Sequence, residues 1–270
     1  MTSKKDRIVL PAVRPSAAIE AAYQRRIDQL IREMHKDVSA HLRLDWRRNP
    51  PATVANDASS VEDIVSTLGM LSRKWLAKFD ALAPSLASYF TQAVHDRSDR
   101  QLHNILKRGG FTVAFQMTDG QRSILHATVA ENVSLIKSIP QQYLTEVEGM
   151  VMRSVVAGRD LGTLTQELQA RYGITRRRAA GIARSQNNMA TGRLQANRQS
   201  ELGLSAMWLH SAGGKTPRPS HIKQSGKEYD PSKGWYDPDA KQTIWPGTLI
   251  NCRCTSKTVV FPGRFVAKAA

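Results

Sequence analysis

Cysteine is almost missing from this 270-residue chain: there are 2, and both lie in Asn251-Cys252-Arg253-Cys254. Two thiols one residue apart cannot staple a framework of loops. The fold must come from a buried core, which a chain of this length can supply, and the chain reads as one kept in a reducing cytoplasm. Aromatic residues are only 6% of the total, which favours helices packed by aliphatic side chains over an all-β sandwich. No apolar run reaches the roughly 18 residues that a spanning helix needs, so no membrane partner is expected. Ile8-Val9-Leu10 is cut short by Pro11, which argues against a secretory signal. No tandem repeat is visible. Acids are also scarce, 23 against 39 Lys plus Arg, for a formal charge of +16. An excess of that sign fits a polyanionic partner.

What is present is mostly helical pattern. Residues 1–15 read as a flexible basic arm. Ser16 is placed to cap a helix whose apolar stripe runs Ile19, Tyr23, Ile27, Leu30, Ile31, Met34, Val38 and Leu42, and Asn49-Pro50-Pro51 stops it. A second helical region starts at Ser59 or Ser60 and continues past Pro84 to the break at Gly109-Gly110. Phe111 to Met117 reads as a short extended piece. Helix returns near Ser123, is interrupted at Pro140, and ends at Gly158. Two more helices, Leu161–Tyr172 and Thr175–Leu202, are expected on either side of Gly173. After Gly203 turn residues dominate, and Ala206 to Leu209 and Thr258 to Phe261 suit strands. The expectation is a mainly α protein with a small C-terminal α+β, turn-rich domain. Its parts are a helical N-terminal region over 16–130, a further helical region over 131–203, the cap over 204–262 and a tail over 263–270.

Three groups of residues carry chemistry. Arg176, Arg177, Arg178, Arg184, Arg193 and Arg198 follow one another with no acid before Glu201. Their mutual repulsion points to a neutralising partner, DNA phosphates or an acidic protein surface, against the plainer reading of a solvated face. Asn187, Asn188, Gln195, Asn197 and Gln199 interleave with them, able to bond backbone groups or phosphates. Thr163 to Arg184 has the order of a helix-turn-helix, but Gln169 stands where a small residue is usual and the second helix is too long. His221, Cys252 and Cys254 offer one imidazole and two thiols, a donor set that suits Zn2+. His210, Asp230 and Asp237 are candidates for a fourth ligand. The plainer reading makes the cysteines small buried hydrophobes and His221 a turn residue. Trp208, Trp235 and Trp245 read as the core of a loop-rich cap. Gly213-Gly214-Lys215 and Ser225-Gly226-Lys227 are too short for phosphate-binding loops.

The series Ile174-Thr175, Ile182-Ala183-Arg184-Ser185-Gln186, Arg198-Gln199, Glu201-Leu202-Gly203, Trp208, Arg218-Pro219-Ser220-His221, Gly226-Lys227, Pro246-Gly247 and Asn251-Cys252-Arg253-Cys254 resembles the phage Mu F-like minor head protein family. The resemblance runs from near Glu131 to Val260. It implies a minor capsid or head morphogenesis protein of a tailed phage or prophage, not an enzyme. Such a protein sits in the head interior of the virion, and in the host cytoplasm during assembly. The implied partners are the portal protein, the scaffold or major capsid protein, and genomic DNA met by non-specific phosphate contact. The implied role is head assembly and genome packaging or ejection. Many relatives place a Cys-x2-Cys pair around positions 217–221 and a histidine before the final Cys-Arg-Cys. Here those regions keep only His221 and Pro246-Gly247, so no cofactor is expected beyond a candidate Zn2+. The alternatives are a metal-dependent hydrolase or nuclease on the His/Cys residues and a helix-turn-helix DNA-binding protein.

Overall fold

The computed structural model describes residues 7–48, 59–158, 160–211 and 216–262. The start of the expected arm, the Asn49-Pro50-Pro51 stop, Gly213-Gly214-Lys215 and the 263–270 tail lie outside the described residues. Four long helices dominate: α1 (Ala17–Arg48), α2 (Ser59–Arg108), α3 (Asp119–Val156) and α4 (Leu161–Glu201). Among the described residues, six short strands and one short helix accompany them: β1 (Ile8–Ala12), β2 (Ser205–Leu209), α5 (Pro219–Gln224), β3 (Glu228–Tyr229), β4 (Trp235–Asp237), β5 (Gln242–Ile244) and β6 (Thr255–Val260). The protein is mainly α with a small α+β part at its carboxyl end.

Two compact units emerge, one of residues 1–20, 88–129 and 183–270, the other of 21–87 and 130–182. Each long helix contributes residues to both units; one division falls at 129/130, beside the expected 130/131 boundary, and the next at 182/183, inside α4.

The described residues of the 21–87/130–182 unit are almost all helical. Tyr23, Ile27, Ile31, Met34, Val38 and Leu42 are all buried, so the three- and four-residue spacing of α1 became its core face. Polar groups tie the helices at the margins. Asp37 receives Lys74 Nζ and Trp75 Nε1, both at 2.7 Å. Burial works against its charge, and those donors overcome it, holding the carboxyl below its usual range. His35 stacks on Tyr172 with ring centroids 4.4 Å apart.

Three expectations fail here. Gly173 does not break the chain, and α4 is continuous from Leu161 to Glu201. Buried Leu168, Thr175 and Ala179 flank the glycine, and their packing outweighs the roughly 1 kcal/mol that an interior glycine costs. An unbroken helix also removes the turn that a helix-turn-helix requires. Pro140 lies inside α3, where buried Ile136, Ile139, Tyr143 and Leu144 hold the helix across its missing donor.

The other unit holds a four-stranded antiparallel sheet in the order β1-β6-β2-β3 and a two-stranded β4-β5 sheet. Residues 8–12 are therefore a strand, not part of an arm. Leu10 and Ala12 point into the core, and Val9 pairs with Val259. Pro11 is tolerated because β1 is an edge strand, where a missing N–H leaves no neighbour unpaired. Ser16 caps α1 as expected, its hydroxyl accepting from Ile19 N at 3.4 Å. Phe111 to Met117 forms no strand; Phe111 and Phe115 pack instead against Leu10, Leu102, Leu106 and Val260. Helix α4 is fastened to β6 through Gln199, which donates to Thr258 Oγ1 at 3.0 Å and accepts from Ser256 Oγ at 2.9 Å.

Candidate metal centre

The cap is assembled around Trp208, which is fully buried on β2. Its N–H donates to Lys227 O at 2.9 Å, and its carbonyl accepts from Gly226 N at 2.8 Å. Gly226 has φ +81°, a conformation that glycine adopts without strain. Arg218 is extended and Pro219 starts α5, the position where proline's missing donor is harmless. That short turn carries His221 into the interior, 2% exposed. Arg218 also donates to Ile250 O at 3.2 Å, tying α5 to the segment before the cysteines.

His221 is held from both sides. Its Nε2 lies 3.0 Å from Asp237 Oδ2. Asp237 is fixed in turn by Asp239 N at 3.0 Å, and Asp239 accepts from Ser220 N at 3.1 Å. With Nε2 committed to a carboxylate, Nδ1 faces Cys252 Sγ at 3.5 Å and Cys254 Sγ at 3.6 Å. A second imidazole, His210, places its Nδ1 3.7 Å from Cys254 Sγ.

The turn bearing the thiols is clamped to α4. Asn251 adopts φ +62°, an αL conformation that asparagine tolerates. Asn188 Nδ2 donates to Cys252 O at 3.0 Å. A Cβ on Gly247 (φ +85°) would meet Asn188 O at 3.0 Å and Cys254 O at 3.1 Å. Gly192 is tighter still: a Cβ there would lie 2.3 Å from Pro246 O. Gly192→Ala is accordingly expected to destabilise the protein by about 1–3 kcal/mol through overpacking, read as a lowered melting temperature.

The Cys254 sulfur, together with His221, lowers the Cys252 pKa against the effect of burial, while Cys252 and burial raise that of Cys254. Burial pushes the His221 pKa down, but Cys252 and Asp237 reverse it and raise it. Two thiols and an imidazole nitrogen whose donor atoms lie within 4.8 Å of one another are a fitting donor set for a borderline-soft divalent cation. Of the three candidates for a fourth ligand, Asp237 is occupied with His221. Asp230 caps its own turn through Ser232, accepting from its N at 2.9 Å and its Oγ at 2.6 Å. His210 remains.

The six arginines do not act alike. Arg176 pairs with buried Asp28 at 3.2 Å, and Arg178 donates to Ser138 Oγ at 2.8 Å. Arg177 is exposed. Arg184 is exposed and lies 3.5 Å from Glu20; Arg193 is half-buried. Arg198 corrects the expectation of a DNA contact: it is 4% exposed and makes a double bridge to Asp99, at 3.0 and 2.6 Å. It also donates to Gln116 O at 2.7 Å and Glu201 Oε2 at 3.0 Å. The interleaved Asn187, Asn188, Gln195 and Gln199 are buried as well, so this half of α4 is an internal polar strut. Sequence reasoning missed an open cleft of about 470 Å3 whose walls include Arg14, Arg184, His210 and Arg253, with Glu20 as its acid. The only cue was the flanking of Arg253 by the two cysteines.

Residues 145–257 match the model of the family described as Phage Mu protein F like protein. An uncharacterized protein of Haemophilus influenzae (strain Rd) is 26% identical over 257 residues, covering 92% of this chain. The chain spans about half the length of that relative (55%). No solved structure matches. The segment that matches the Phage Mu protein F like family, 145–257, holds all four of His210, His221, Cys252 and Cys254.

Proposed function

We propose that this chain is a minor head protein of a tailed phage or prophage, built into the procapsid near the portal, where it assists head assembly and genome packaging or ejection. The observation that carries the reading is the family match over residues 145–257, from the end of α3 through α4 and most of the cap into β6. The charge of +16 supports DNA as one partner, with the portal and the scaffold or major capsid protein as the others. Among the described residues no helix is long and apolar enough to cross a membrane, in keeping with a life in the host cytoplasm and then in the head interior. The decisive experiment removes the portal gene from the producing phage and counts this protein in the procapsids. Loss of the protein supports portal docking, and an unchanged copy number contradicts it.

The DNA contact is assigned to the cleft of Arg14, Arg184 and Arg253. Guanidinium groups there are exposed, and no Phe, Tyr or Trp lines the cleft to form a base-stacking platform, so phosphates are the target. Arg14→Gln combined with Arg184→Gln is expected to weaken binding of a random-sequence duplex. It should also reduce the slope of log affinity against log salt by about 2, measured by fluorescence anisotropy. An equal loss from Arg176, Arg177 and Arg178→Gln would instead locate the contact on the other unit.

A further inference from the structure

We infer that His210 and His221, each through Nδ1, and Cys252 and Cys254 through their sulfurs, are the four ligands of one tetrahedral zinc ion, with Asp237 orienting His221 from outside the coordination sphere. This assignment stands apart from the particle role proposed above.

The distances carry it. Zinc binds sulfur at about 2.3 Å and imidazole nitrogen at about 2.0–2.1 Å. In a tetrahedron those bonds set each nitrogen–sulfur edge near ~3.6 Å. Three such edges are present, at 3.5, 3.6 and 3.7 Å, joining His221 to both cysteines and His210 to Cys254; His210 stands outside the trio whose donor atoms all lie within 4.8 Å of one another, so its imidazole must swing inward to complete the tetrahedron.

Three further features agree. A small cavity of about 30 Å3 is bounded by all four of these residues, among others. The His221–Asp237 bond is the carboxylate–imidazole arrangement that fixes the tautomer of a metal-binding histidine and raises its basicity. Finally, the indole N–H of Trp208 is fully buried without a partner. A metal-bound thiolate at Cys254, beside that side chain, is an acceptor that would satisfy it.

Four protein ligands leave no coordination position for water, so the site is structural and does not activate a nucleophile. Binding the ion requires both cysteines as thiolates and both imidazoles with Nδ1 free of its proton, and the protons displaced pass to solvent. The ion would lock β2, α5 and the Asn251–Cys254 turn together, and through His210 and Arg253 it would set one wall of the cationic cleft.

Wild-type protein, purified without added metal, should contain about one zinc per chain by plasma mass spectrometry. Its X-ray absorption fine structure should fit two sulfurs and two nitrogens at the distances above. Less than about 0.2 zinc per chain after incubation with zinc and desalting overturns the proposal. So does a shell with fewer than two sulfurs, or one completed by oxygen. His210→Ala is expected to lower zinc affinity at least ten-fold in chelator competition, and Asp237→Asn to lower it about 10–100-fold. Wild-type affinity in His210→Ala would remove His210 from the set. Because the absorption measurement uses the unaltered chain, misfolding of either variant leaves the proposal testable.

Discussion

Arg198→Met is expected to destabilise the protein by about 3–5 kcal/mol and to leave its affinity for DNA unchanged. The guanidinium is 5% exposed and bridges Asp99, itself only 17% exposed, with Glu201 and the Gln116 carbonyl on its other donors. Removing it strands two carboxylates and a carbonyl in a site that water hardly reaches, and an uncompensated buried charge costs far more than the pair contributes when intact. The double variant Arg198→Met with Asp99→Leu should recover much of the loss, since it removes the charge along with its partner. Both are read by thermal melting. A large loss of DNA binding in a folded Arg198→Met protein would restore this residue to the surface role that its sequence context implies.

Trp208→Ala is expected to cost about 3–5 kcal/mol and to weaken zinc binding at the same time. The ring is fully buried and meets His221, Tyr229 and Trp235 edge-on, with centroids 5.2, 6.0 and 5.2 Å away. Its removal opens a void under the histidine and frees the imidazole to rotate. Trp208→Phe keeps most of the contact area and should cost much less, but it deletes the indole N–H. The two variants thus separate packing from hydrogen bonding to Cys254. Limited proteolysis of the cap gives the readout: rapid cleavage near α5 in Trp208→Ala, and near-native protection in Trp208→Phe.

The helical body was legible because a stripe such as Tyr23, Ile27, Ile31, Met34, Val38 and Leu42 has one explanation, and those residues are buried. Gly173 and Pro140 misled because local propensity is weaker than the burial of their neighbours. Ile8 to Ala12 looked like an arm because its pairing partner, β6, lies some 250 residues away, and nothing local announces a non-local strand. Arg198 misled for the same reason: Asp99, its counter-ion, is 99 positions distant. The cap was half legible. His221, Cys252 and Cys254 stood out by rarity and are brought together. The choice of His210 over Asp230 and Asp237 needed coordinates, since all three precede or follow turns and only their side-chain partners tell them apart. The fasteners Gln199, Asn188 and Gly192 carry no rarity and were invisible as such.

Quantitative mass spectrometry of purified procapsids and mature heads tests the central claim most directly. The account predicts this chain in both, at a low copy number fixed relative to the major capsid protein. Its absence from both particles, with the protein abundant in the producing cell, would contradict a role as a component of the head.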